Sequence, residues 1–123
     1  METEKKTFSA SSDAQGRFVR KTAGFRDWIS PDSDRFQPES GRYHLYVSYA
    51  CPWAHRTLIM RNLKGLQDHI GVSVVHPTWQ YTTPDQDDHT GWVFRKESDP
   101  PLQNVKGVGS FPCKDVIPDT VNN

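Results

Sequence analysis

A chain of 123 residues has the length of one domain, and its 15 basic and 15 acidic side chains cancel to a formal net charge of zero. That balance argues against a nucleic-acid surface or a polybasic membrane patch. No stretch approaches the roughly 18 apolar residues of a membrane helix. Residues 1–20 hold no apolar run of signal-peptide length, and Glu2, Glu4 and Asp13 speak against an acid-poor transit sequence, so a cytoplasmic protein of the reducing cytosol is expected.

Residues 1–41 are rich in Ser, Asp, Lys and Arg, with Phe18, Phe25, Trp28, Ile29 and Phe36 scattered among them, and are expected to form an extended N-terminal arm that docks on something. From 42 to 123 a single domain is expected, with a βαβ core over about 43–76 and an irregular tail over 77–123. Tyr43, Leu45 and Val47 alternate with His44, Tyr46 and Ser48, a period of two that predicts a strand. A helix is predicted from 52 to about 64, because Ala54/Leu58 and His55/Ile59/Leu63 fall four apart and Gly65 supplies a stop. Val72, Val74 and Val75 predict a second strand over 71–76, and the intervening length suits a right-handed parallel crossover through the helix. After His76 the period is lost: 82–88 is a polar loop, and Asp99-Pro100-Pro101 with Gly107 and Gly109 continues in that vein. The fold class is therefore α/β, and incomplete. Two parallel strands and one helix leave edges open and one sheet face uncovered, whereas parallel sheets are normally covered on both.

The chemistry centres on Cys51, at the junction of the first strand and the helix. Pro52 fits the first helical position, since its missing N–H would have lacked an intrahelical partner and its φ is already helical. Cys51 is then the N-cap, where free N–H groups and the helix dipole favour negative charge. An ordinary cysteine, with a pKa of about 8.5, is mostly a thiol at neutral pH, whereas thiols at helix N-termini titrate near or below neutrality. Cys51 is thus a candidate nucleophile, with His55 and Arg56 as supporting positive potential at most. The competing reading is a buried cysteine packed as a small hydrophobe. A disulfide to Cys113 does not suit a chain with so few cysteines. Zinc is not expected either, because Cys51 and His55 make only half a site.

The run Gly41-Arg42-Tyr43-His44-Leu45-Tyr46-Val47-Ser48-Tyr49-Ala50-Cys51-Pro52-Trp53-Ala54-His55-Arg56-Thr57-Leu58-Ile59 resembles the glutathionyl-hydroquinone reductases, the xi-class glutathione transferases. The resemblance continues through Gly16-Arg17-Phe18-Val19-Arg20, Phe25-Arg26-Asp27-Trp28-Ile29, Phe36-Gln37-Pro38-Glu39, Leu63-Lys64-Gly65-Leu66, Val74-Val75-His76-Pro77 and Gly91-Trp92-Val93-Phe94, and faintly to Pro118-Asp119. It implies a thioredoxin-like domain, the N-terminal domain of glutathione transferases, followed in the family by an all-helical domain. It also implies glutathione as co-substrate, glutathionyl-hydroquinones as substrates, and Cys51 as the nucleophile that releases hydroquinone and passes through a mixed disulfide with glutathione. Ala54 stands where a dithiol motif carries its resolving cysteine, so an external thiol must finish the cycle. Trp92 matches a tryptophan the family uses near glutathione, against an equal case for a core aromatic. Trp53 is a candidate for the same site, against packing on a neighbouring loop. Trp28 and Trp79 are assigned to packing, and His44 is given no role.

Three parts of the family pattern have no counterpart here: a Val-Pro segment that bonds the glutathione backbone, a Glu-Ser pair that holds its glutamyl end, and tyrosines of the helical domain. The expectation is the front portion of the family's catalytic domain, through truncation, splicing or a gene-model error, with impaired activity and without the family's homodimer. Two alternatives stand beside it. One is a non-enzymatic fragment or partner-binding product. The other is an omega-type glutathione transferase or dehydroascorbate reductase, which shares the single-thiol helix start but not the Arg42-to-Tyr46 run with Trp53.

Overall fold

A computed structural model describes residues 13–20 and 22–122. They divide into two units, one holding the described residues up to Pro38 together with Thr83–His89, the other Glu39–Thr82 with Thr90–Asn123.

The second unit is built on β1 (Tyr43–Val47), α1 (Pro52–Leu63) and β2 (Ile70–Val74). β1 and β2 pair in parallel, Tyr43 opposite Ile70 through Val47 opposite Val74, with α1 as the connection. The first strand and the helix are found as expected, whereas the second strand starts one residue before the expected 71 and ends at Val74, so that Val75 and His76 lie beyond it. The helix ends as Gly65 requires. Gly65 has φ +62°, and its N–H donates to Asn62 O at 3.1 Å while the Leu66 N–H donates to Arg61 O at 2.9 Å. That pairing satisfies the last carbonyls and turns the chain back. The Arg61 side chain then donates to Ile70 O at 2.8 Å and Gln67 O at 3.0 Å, fastening the helix to the entry of β2.

At the middle of β1, His44 stands opposite Gly71. A Cβ at position 71 would come within 2.6 Å of His44 Nδ1, so the glycine makes room for the ring. The His44 Nε2 lies 2.8 Å from Ser73 Oγ, which donates to Pro118 O at 3.1 Å. With its hydrogen committed to Pro118, Ser73 accepts from His44, so Nε2 carries the proton. His44 is a cross-strand tie.

The segment after His76 has little regular structure, as its lack of period predicts, yet it is ordered and carries much of the core. β3 (Gln80–Tyr81) and β4 (Thr90–Gly91) form a short antiparallel pair. Ile117 exchanges two backbone hydrogen bonds with Val74, at 2.9 and 3.0 Å, which extends the sheet on the β2 side. Leu102 and Phe111 exchange two more across a loop whose Asn104 carboxamide oxygen accepts from Lys106 and Val108. Leu102, Cys113 and Val116 are buried together, with Val93 packed on them. His76 is fully buried and links three segments: its N–H donates to Val93 O, its Nδ1 accepts from Thr78 N–H at 3.0 Å, and its Nε2 lies 3.2 Å from Pro112 O. The acceptor role of Nδ1 puts the hydrogen on Nε2, which donates to Pro112. No residue of α1 is buried.

In the first unit, turns are held by side chains. Asp13 accepts from the N–H groups of Gln15 and Arg17 and from the Arg17 guanidinium at 2.7 Å. Ser33 Oγ accepts from Phe36 N–H, and Thr83 Oγ1 donates to Asp87 at 2.6 Å. Trp28, assigned to packing from the sequence, is instead 84% exposed, and Phe25 is 98% exposed. A charged, Ser- and Asp-rich stretch holds too few neighbouring apolar side chains to bury either ring. Among the described residues, no helix is long and apolar enough to cross a membrane.

Candidate functional site

The turn that delivers Cys51 is made by Ser48. This residue is 2% exposed; its Oγ accepts from the Ala50 N–H at 3.2 Å and its carbonyl from the Cys51 N–H at 3.1 Å. The chain leaves β1 through that tight turn, and Cys51 caps α1 with extended geometry, φ −99° and ψ 113°. Its carbonyl accepts from the His55 N–H at 3.2 Å, closing the first helical turn. Pro52 has no N–H, so the first-turn donors left over by helix geometry are those of Trp53 and Ala54. No acidic residue stands in that turn to compete for them.

Cys51 is half-buried and free, and Cys113 is free and buried, with its Sγ 3.5 Å from Pro100 O. The two thiols thus have different surroundings: one at a helix start with access to solvent, the other enclosed in the apolar cluster with Leu102 and Val116. No disulfide joins them.

Around the helix the candidate residues separate. Trp53, 67% exposed, lines an open depression of about 560 Å³ with Arg56, Met60 and Leu45. His55 lines a different one with Tyr49, Ile59 and Ile117. Cys51 lines neither. Trp92 is 39% exposed and meets Trp79 edge to face, ring centroids 5.8 Å apart, a favourable aromatic geometry. The packing expected of Trp79 is therefore present, and Trp92 both packs and stays partly exposed. Cys51, Trp53 and Trp92 are not gathered into one of the described depressions.

Two residues of structural weight escaped the sequence: Ser48, which builds the turn, and His76, which joins the tail to the sheet. Both are polar, so neither belongs to an apolar period, and their burial depends on partners distant in the chain.

Comparison with known proteins places these features. The family model described as the glutathione S-transferase N-terminal domain matches residues 50–113. The chain is 53% identical over 88 residues to the Glutathione S-transferase omega-like 2 of Schizosaccharomyces pombe, covering 72% of this chain and 26% of that protein. It is 50% identical over 95 residues to the Glutathionyl-hydroquinone reductase YqjG of Escherichia coli, again covering 72% and 26%. A crystal structure of the xi glutathione transferase ECM4 of Saccharomyces cerevisiae in complex with glutathione matches with TM-score 0.54 and 49% identity, covering 64% of this chain and 20% of that one. The chain thus spans about a quarter of the length of the curated relatives it matches. The strand, helix and strand described above are an incomplete thioredoxin-like domain of mixed α/β class. By profile and by about 50% identity to its relatives, the chain belongs to the glutathione S-transferase family, in its xi-class, glutathionyl-hydroquinone reductase branch, and corresponds to the N-terminal portion of those proteins.

Proposed function

We propose that the chain is the thiol-bearing portion of a glutathione-dependent oxidoreductase acting on glutathionyl-hydroquinones, with Cys51 as its nucleophile. The observation that carries this reading is a half-buried, free Cys51 at the N-cap of α1, directly after a parallel strand, with Ala54 in place of a second thiol. The Cys51 thiolate attacks the glutathione sulfur of the adduct. The sulfur–ring carbon bond breaks, its electron pair stays on the ring carbon and takes a proton, and hydroquinone departs. A Cys51–glutathione disulfide remains. A second glutathione thiolate attacks its glutathione sulfur, which yields oxidised glutathione and restores the Cys51 thiolate. Over the cycle the two glutathione sulfurs are oxidised to the disulfide, the ring carbon is reduced and Cys51 returns unchanged, so electrons balance.

Trp53, adjacent to the helix start, is proposed to contact substrate. Trp92 is proposed to contact glutathione with the part of its ring that stays exposed beside Trp79. The substrates follow from relatives named glutathionyl-hydroquinone reductase, and glutathione from one solved with that ligand. Two free thiols suit the reducing cytosol.

The test is intact-mass analysis after incubation with a glutathionyl-hydroquinone. One glutathione added to the native chain, mapped to Cys51, released by excess glutathione and abolished in Cys51→Ser is the expected result. An adduct mapped to Cys113, or one that persists in Cys51→Ser, overturns the assignment. The second reading is an omega-type transferase or dehydroascorbate reductase, favoured by the omega-like names of several relatives. Turnover of dehydroascorbate with none of glutathionyl-hydroquinone would select it.

A further inference from the structure

Away from Cys51, a depression of about 410 Å³ is lined by the apolar side chains of Phe94 and Pro118, by two cations, Arg95 and Lys96, and by two carboxylates, Asp99 and Asp119. The carboxylates are committed locally. Asp119 accepts from the Tyr46 hydroxyl at 3.1 Å, from Val121 N–H at 2.9 Å and from the Asn122 amide at 3.1 Å, while Asp99 accepts from Lys96 N–H at 2.9 Å. The cations are not. Among the described residues, neither Arg95 nor Lys96 pairs with a carboxylate within 4.0 Å, and Arg95 Nε is buried without a hydrogen-bond partner.

A buried guanidinium nitrogen without a partner is costly and calls for an explanation. Nothing fixes the guanidinium in its present pose through that nitrogen. Turning its Nε and Nη edge toward the depression breaks no bond there, and a carboxylate entering side-on gains the paired N–H donors that match its two oxygens. Lys96 adds a second positive charge. The apolar lining of Phe94 and Pro118 suits a hydrocarbon body, which inorganic phosphate lacks.

We propose that this depression is a binding site for small monoanionic carboxylates with an apolar body, held by Arg95 and Lys96, and that it prefers them to inorganic phosphate, which has no apolar part to cover Phe94 and Pro118. The proposal is independent of the chemistry assigned to Cys51.

Amide chemical-shift titration of the whole chain with benzoate, and separately with inorganic phosphate, tests it. Saturable benzoate shifts confined to residues 94–99 and 118–122 are expected, with phosphate producing weaker ones. Lys96→Gln, at an exposed position, and Arg95→Gln should each weaken benzoate binding about fivefold or more, while Lys106→Gln, outside the depression, leaves it unchanged. Absence of saturable shifts, phosphate binding as tight as benzoate, or equal weakening by Lys106→Gln and Lys96→Gln overturns the proposal.

Discussion

At the scale of single residues, fit and partners decide what each position tolerates. Gly71 is held to glycine by the His44 ring, 2.6 Å from where a Cβ would stand. Gly71→Ala must push the ring off Ser73, and overpacking of this kind costs about 1–3 kcal/mol; urea unfolding should show a lower midpoint with an unchanged slope. Tyr46 offers a second check. Partial burial, then the hydrogen bond and negative charge of Asp119, raise its phenol above the usual 10.0. Burial alone would raise Asp119, but the hydrogen bonds from Val121, Asn122 and Tyr46 outweigh it and hold the carboxyl below the usual 3.8. The signs follow. The Asp119 contribution to stability is present above the ordinary carboxylate range and is lost as pH falls through its lowered folded value, whereas the Tyr46 contribution is present below pH 10.0 and is lost as pH rises through its raised one. Spectrophotometric titration should find the Tyr46 phenolate forming at lower pH in Asp119→Asn than in the native chain; an unchanged titration would show that Asp119 does not act on it.

At the scale of elements, the parts legible in the sequence were those governed by local rules. Alternation gave β1, and Pro52 and Gly65 bracket a helix because one fits only its start and the other only its left-handed end. Cys51 as N-cap followed from the same bracket. What local rules could not supply was attachment. α1 buries none of its residues, and its exposed Ile59, Met60 and Leu63 show how little apolar packing holds it. The Arg61 clip to Ile70 and Gln67 carries part of that task. Arg61→Ala should therefore lower stability by about 1–3 kcal/mol and speed amide exchange at the end of α1 and the entry of β2; unchanged exchange at both would remove the clip from the account.

At the scale of the whole second unit, the tail that lacks any period in sequence supplies a large share of the interior. Leu102, Cys113 and Val116 form its apolar cluster, and Ile117 and His76 tie the tail to β2 and its extension. No periodicity announces such packing, because turns such as that held by Asn104 bring single residues inward one at a time. Leu102→Ala should remove about 2–5 kcal/mol, enough in a small domain to abolish the near-ultraviolet circular dichroism of the Trp79–Trp92 pair; a native chain without that signal would favour the non-enzymatic fragment. The site depends on this folded state, since only a formed strand, turn and helix place Cys51 beside the free amides of α1. The alkylation rate of Cys51 at neutral pH, compared between the native chain and the same chain unfolded in urea, therefore tests the central claim most directly. Faster alkylation of Cys51 in the native chain, with Cys113 slowed by its burial, is the predicted result; a Cys51 that reacts no faster folded than unfolded contradicts it.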